Sequence, residues 1–165
     1  MRIIIGADLV PTESNFEYFE KGDIKSLMGN DLVNLLSHAD LRVFNLETPL
    51  TDELSPIDKN GSNLSAPVNT VKGIKEMGIN LFTLANNHIM DQGVNGFIST
   101  VNVLEKYQIE YVGAGKNLEK AEKPYILEKD GIKVGFYCCT EHEFSIASEN
   151  AAGANPFDFL DSFDH

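Results

Sequence analysis

Four short apolar runs punctuate the chain: RIIIGA at 2–7, LRVFNLE at 41–47, NLFTLA at 80–85 and IEYVGAG at 109–115. Their spacing is the strongest constraint on the fold. Each run has the length of a strand, and the stretches between them leave room for a helix, which is what parallel strands need to be joined. The first run is nearly continuous in apolar residues, as expected for a strand buried on both faces of a parallel sheet. The expected architecture is α/β, a mainly parallel sheet with flanking helices. At 165 residues and 42% hydrophobic composition, with no internal repeat, the whole of 1–165 reads as one domain with its own core.

The intervening stretches carry helical signals. From Asp23 to Ser37, Ile24, Leu27, Met28, Leu32, Leu35 and Leu36 recur at amphipathic-helix spacing, with a break expected near Gly29-Asn30. Ser65 reads as an N-cap and Pro67 as a first-turn residue of a helix through Met77, stopped by Gly78. Val94, Phe97, Val101 and Leu104, with Ile98 beside them, predict a helix over 93–107. PYILEKDGIKVGFYCC predicts a hairpin turning at Asp130-Gly131 and edging the sheet, with Cys138 and Cys139 as core thiols in its second strand. The segment at 48–67, with its Pro, Gly, Ser and Asn content, reads as a long irregular loop and, because such loops are more often functional than incidental, as a substrate-facing flap. Near the end, Phe157, Phe159, Leu160 and Phe163 are spaced like a helix beginning, so the domain is expected to be cut short at its C-terminal side.

Charge narrows the partners. With 25 acidic against 13 basic residues and a formal net charge of -12, the chain lacks the Lys and Arg excess that replaces counterions along nucleic acid. The acidity reads as a solvated surface, although clustered carboxylates also hold cations. The opening MRIIIGADLV is too short an apolar run for a signal-peptide core or a membrane span, which predicts a cytoplasmic protein with no membrane-spanning segment.

In open α/β sheets, ligands bind beyond the carboxyl ends of the strands, where loops bring polar groups together. Asp8 follows the first run, Glu47 ends the second, and Asn86, Asn87 and His88 follow the third. Carboxylate and amide oxygens with an imidazole nitrogen suit divalent metals such as manganese, iron or zinc, and a metal there would acidify bound water and polarise a phosphoryl or carbonyl oxygen. A structural reading stands beside this one. In LANNHIMDQG the asparagines also suit a turn, Asp91 suits a helix cap, and Glu47 before Thr48-Pro49 suits a turn.

The motifs GAD at 6–8, NLETPLT at 45–51, LANNHIMDQGVNGFIST at 84–100, GAGKNLEKAEKP at 113–124 and GIKVGFY at 131–137 together resemble the CapA family of bacterial capsule synthesis and poly-γ-glutamate biosynthesis proteins. That family in turn resembles calcineurin-like metallophosphoesterases, sandwiches of two sheets with a two-metal site at the strand ends. The resemblance implies Asp8, Glu47 and Asn87 as metal ligands, with Glu47 where those enzymes bridge two metals. It implies His88 as the acid or substrate-oxygen contact, and Asn45, Asn86 and Asp91 as supporting residues. Two departures stand out: Val10 occupies a position where metallophosphoesterases commonly place a histidine ligand, and the family's later histidine segments are absent from this sequence. Of the other histidines, His142 follows a strand and reads as a loop residue, and His38 and His165 are poor substitutes.

Two functional expectations follow. One is a metal-dependent hydrolase of phosphoesters or glutamyl amides, using one or two divalent ions and a phosphorylated small molecule or anionic polymer as substrate. The other is a non-catalytic accessory protein that binds an anionic polymer or a synthesis partner; so acidic a chain would need a metal or a local basic patch to do so.

Overall fold

The computed structural model describes residues 1–142, 145–160 and 162. Its elements run in the order β1 (Ile3–Leu9), α1 (Phe16–Lys21), α2 (Ile24–Ser37), β2 (Leu41–Leu46), a single 3-10 turn (Val68–Thr70) leading into α3 (Val71–Glu76), β3 (Leu81–Thr83), α4 (Gly93–Lys106), β4 (Glu110–Val112), β5 (Ala114–Gly115), α5 (Leu118–Ala121), β6 (Tyr125–Lys129), β7 (Ile132–Phe136) and β8 (Gly153–Ala154). Strands β1 to β4 form one parallel sheet in sequence order. The fold is α/β.

Because each right-handed crossover steps to the next strand in the same direction, the helices between them fall on one face of the sheet. Phe19 of α1, Ile74 of α3 and Phe97 and Leu104 of α4 pack there against Leu46, Phe82 and Leu84. The opposite face carries Leu41, Val43, Leu81 and Val112, and Tyr125, Leu127 and Phe136 of the hairpin β6–β7 pack on it. The hairpin is a separate two-stranded sheet lying on that face, not the sheet edge expected from sequence. Its turn is as predicted, with Asp130 at φ 55° and Gly131 at φ 75°.

Several expectations need correction. β1 is an edge strand, and Ile5, on the face the hairpin covers only in part, is 71% exposed; an apolar run does not by itself mark a strand buried on both sides. In α2 the break at Gly29 (φ 75°, ψ 164°) resets the helical phase, so Leu32 and Leu35 face solvent and Leu36 alone is fully buried. Val94 and Ile98 of α4 are likewise exposed. Pro67 stands before the 3-10 turn, and no Ser65 cap forms. The fourth run divides at Gly113: β4 stays in the parallel sheet, while β5 leaves it to pair antiparallel with β8. Cys138 and Cys139 lie beyond β7, half-buried and unbridged. Phe157, Phe159 and Leu160 are exposed and no helix forms over them; Phe163 and His165 lie outside the described residues. No helix among the described residues is long and apolar enough to cross a membrane.

Candidate functional site

Parallel pairing places the carboxyl ends of β1, β2 and β3 along one edge. At the end of β1 the register with β2 slips: Ile5 faces Val43, but Asp8 faces Asn45, so β1 holds one residue more than its partner between them. A bulge of this kind turns the following side chain to a new direction. Gly6 is required there because a Cβ at that position would sit 2.1 Å from the Phe44 ring. The Gly-Ala-Asp sequence is thus a device that sets the direction of Asp8.

From Asp8 a chain of hydrogen bonds crosses the three strand ends. Asn45 Nδ2 donates to Asp8 Oδ1 at 2.8 Å, and Asn45 Oδ1 accepts from Thr83 Oγ1 at 3.2 Å and Asn86 Nδ2 at 3.1 Å. Asn86 Nδ2 also donates to the Leu46 carbonyl at 3.0 Å, and its Oδ1 accepts from the His88 and Ile89 N–H groups at 3.0 and 2.8 Å. Asn86 is therefore fully occupied in closing the turn after β3 and tying it to β2. Among the described residues, neither the half-buried Glu47 carboxylate nor the Asn87 side-chain amide has a hydrogen-bond partner.

A second cluster follows. His88 Nδ1 lies 2.6 Å from Asp91 Oδ2, and Asp91 is completely buried. The same oxygen accepts from the Leu64 N–H at 2.6 Å, while Asp91 Oδ1 pairs with the ammonium of Lys59. Asp91 does not cap α4; Gln92 holds that position, without a side-chain cap bond. Since a carboxylate oxygen accepts at Nδ1, that ring nitrogen carries the proton, and in the neutral ring Nε2 keeps a lone pair. The His88 side chain is 18% exposed.

The loop before α3 closes over this cluster. The Ile57 N–H donates to the Asp91 carbonyl at 3.0 Å, the Ser55 N–H to Gln92 Oε1 at 2.9 Å, and Gln92 Nε2 to the Leu64 carbonyl at 3.0 Å. His142 stands apart, its Nε2 3.0 Å from the Phe157 carbonyl oxygen, and His38 Nδ1 contacts the Asn34 carbonyl oxygen within its own helix.

The family described as bacterial capsule synthesis protein PGA_cap matches residues 3–160. The chain belongs to this family, which includes the CapA proteins. Relatives of the CapA-family chain include the capsule biosynthesis protein CapA of Bacillus anthracis, 38% identical over 77 residues, covering 47% of this chain and 18% of that protein. Another is the PGA biosynthesis protein CapA of Bacillus subtilis, 32% identical over 120 residues, covering 69% of this chain and 31% of the relative. An uncharacterised protein of Sinorhizobium fredii is 30% identical over 115 residues, covering 67% and 25%. The matched region is thus a third or less of each of these relatives.

Whether this CapA-family site suits a divalent ion turns on its donors. Asp8, Glu47 and Asn87 would supply hard oxygens, two of them anionic, which fits manganese, iron or zinc as part of a coordination shell. Among the described residues no group of three His, Cys, Asp or Glu side chains forms a cage. The buried Thr48 hydroxyl, next in the chain to Glu47, has no hydrogen-bond partner there, so it calls for a water or ligand atom.

Three participants were not foreseen from the sequence. Lys59 lies in the 48–67 loop, read from sequence as a substrate-facing flap with no residue of it singled out, and its side chain is 1% exposed. Thr83 belongs to an apolar run, but its hydroxyl meets Asn45. Cys138 sits beside the end of β3, where burial pushes its thiol pKa up, opposed by hydrogen bonding with the Ala85 backbone and the Thr83 hydroxyl. The only sequence signal for Lys59 was its place in an unusually long connection.

Proposed function

We propose that the strand-end residues of this chain belong to the site of a metal-dependent hydrolase of phosphoesters or glutamyl amides, serving capsule or poly-γ-glutamate biosynthesis. The observation that carries the reading is the line of hydrogen bonds across the strand ends, from the Asp8 carboxylate through Asn45 to Asn86, which accepts from the N–H of His88, a histidine whose Nδ1 is held by a buried aspartate. Asp8, Glu47 and Asn87 would hold one or two divalent ions of manganese, iron or zinc. When bound, such an ion supplies Lewis acidity that activates water and offsets charge on a phosphoryl or carbonyl oxygen.

The chain's own residues supply the rest. Asn45 keeps Asp8 from rotating, since its amide is itself fixed by Thr83 and Asn86. Asp91 orients the His88 ring and stabilises it when it carries a second proton. The Nε2 of His88 is then free to pass a proton to the departing oxygen or nitrogen. The test is elemental analysis of dialysed protein together with hydrolysis of p-nitrophenyl phosphate and γ-glutamyl-p-nitroanilide. We expect bound manganese, iron or zinc that Asp8→Asn or Glu47→Gln removes, and hydrolysis that His88→Ala abolishes. Absence of all three metals, with His88→Ala as active as wild type, would sink the reading.

One observation favours the second reading, binding of an anionic polymer without turnover. A groove of about 760 Å³ beside α4, β4 and α5 is lined by Lys116, Lys120 and Lys123, although Glu105 and Glu110 also line it. Polyglutamate bound by metal-free protein and released on Lys116→Glu/Lys123→Glu substitution would support this reading over hydrolysis.

A further inference from the structure

A lysine ammonium has three donors and no acceptor, and taking it out of water is costly unless acceptors meet it. Lys59 is such a group. Its Nζ pairs with Asp91 Oδ1, donates to the Asn87 carbonyl at 3.3 Å, and lies 3.3 Å from His88 Nδ1. With the Nδ1 proton directed to Asp91, the approach of Lys59 to that nitrogen is proximity between two donors, not a hydrogen bond. The two real acceptors matter more. One is the carboxylate that orients His88, and the other is the peptide oxygen joining Asn87 to His88.

These contacts constrain the cluster from both sides. Asp91 Oδ2 serves His88 and the Leu64 N–H, and Asp91 Oδ1 serves Lys59, so the carboxylate is held by partners at each oxygen. The Asn87 carbonyl is fixed by the same ammonium, which anchors the backbone from which both Asn87 and His88 project. Lys59 belongs to the 48–67 loop, whose Ile57 N–H donates to the Asp91 carbonyl and whose Asn63 amide donates to the Ile57 carbonyl, so the loop is tied both to the cluster and to itself. Apolar pairs of similar volume often replace buried ion pairs at no cost to stability, so the pair by itself is weak evidence of a stabilising role.

We infer that Lys59 is a positioning residue: acting through Asp91 and the Asn87 carbonyl, it fixes the His88 ring with Nδ1 inward and Nε2 available, and so makes the 48–67 loop part of the site. This rests on the hydrolase reading for its purpose, but its test does not require turnover.

The test is NMR of the histidine-labelled protein. Wild type should show a His88 Nδ1–H proton protected from exchange and shifted downfield by its bond to Asp91. In Lys59→Met, which keeps length and removes charge, that signal should be lost while amide resonances of β2, β3 and α4 stay in place; Lys59→Arg should restore it. A folded Lys59→Met protein with an unchanged His88 signal overturns the inference. Should Lys59→Met fail to fold, wild-type protein with labelled lysine decides. Slow solvent exchange of the Lys59 Nζ protons, with cross-peaks to the His88 ring, supports the assignment, and exchange as fast as that of surface lysines overturns it. Where p-nitrophenyl phosphate is hydrolysed, Lys59→Met should lower kcat by about 10- to 100-fold with KM little changed. If no hydrolysis occurs even in wild type, the hydrolase reading fails while the NMR result still judges Lys59.

Discussion

Asn86 commits its whole side chain to the fold: two donor contacts to Asn45 and the Leu46 carbonyl, two acceptor contacts from the His88 and Ile89 N–H groups. Truncation to alanine leaves buried backbone groups of Leu46 and Ile89 without this partner, and each such loss costs about 1–3 kcal/mol. Asn86→Ala should therefore lower unfolding free energy by about 2–4 kcal/mol in urea denaturation. Asn86→Asp keeps the acceptor contacts but sets a carboxylate oxygen against Asn45 Oδ1 and the Leu46 carbonyl, two acceptors, so at neutral pH its loss should be no smaller. A loss below about 1 kcal/mol would show that the turn holds without the amide. This asparagine was legible in the sequence as a turn-maker, because its residue type and its place after a strand both point there. Lys59 was not. A lysine among Asp58, Asn60 and Gly61 has every local mark of a solvated residue, and its burial arises only when the loop meets Asp91 in space.

Elements were legible where periodicity was strong and obscured where backbone geometry changed within an apolar run. Helix α4 and the break in α2 follow from spacing and from Gly29. The division of 109–115 into β4 and β5 does not, since its apolar character continues through the bend; only Gly113 marks it. Gly113 has φ +91°, and a Cβ there would lie 2.9 Å from the Cβ atoms of both Ala85 and Cys138. Gly113→Ala should thus combine backbone strain of about 1–3 kcal/mol with crowding against the segment that leads to Asn86. Gly131→Ala is the control, having φ +75° but no atom within 4 Å of the added Cβ. Urea denaturation of both variants should show Gly113→Ala as the more damaging. Equal losses would mean that the crowding is relieved without cost.

At the scale of the whole molecule, the sequence announced a hairpin but not where it would lie. Its turn is encoded locally in Asp130-Gly131, whereas its docking depends on the apolar face formed by Leu41, Val43, Leu81 and Val112, which exists only once the sheet is assembled. Among the described residues a polar tie reaches from the hairpin to the start of β2: Lys129 pairs with Asp40, which also accepts from the Arg2 N–H at 2.6 Å. The Lys129 ammonium first, and the Arg2 N–H second, hold the Asp40 carboxyl below its ordinary pKa. A carboxyl depressed in the folded state favours folding above its unfolded pKa and loses that contribution as pH falls through the folded value. Wild type should accordingly be more stable than Asp40→Asn at neutral pH. The gap should begin to narrow near the unfolded aspartate pKa of about 3.9 and close below it, once the folded carboxyl is protonated. Because both partners are partly exposed, high salt at neutral pH should shrink the gap as well. Urea denaturation of the two proteins across pH 2–7 checks this, with ~1 M salt as a second axis. A gap that persists unchanged at the acid end would mean that Asp40 acts through its shape and its bond to Arg2, and that the hairpin is held to the sheet by apolar packing alone.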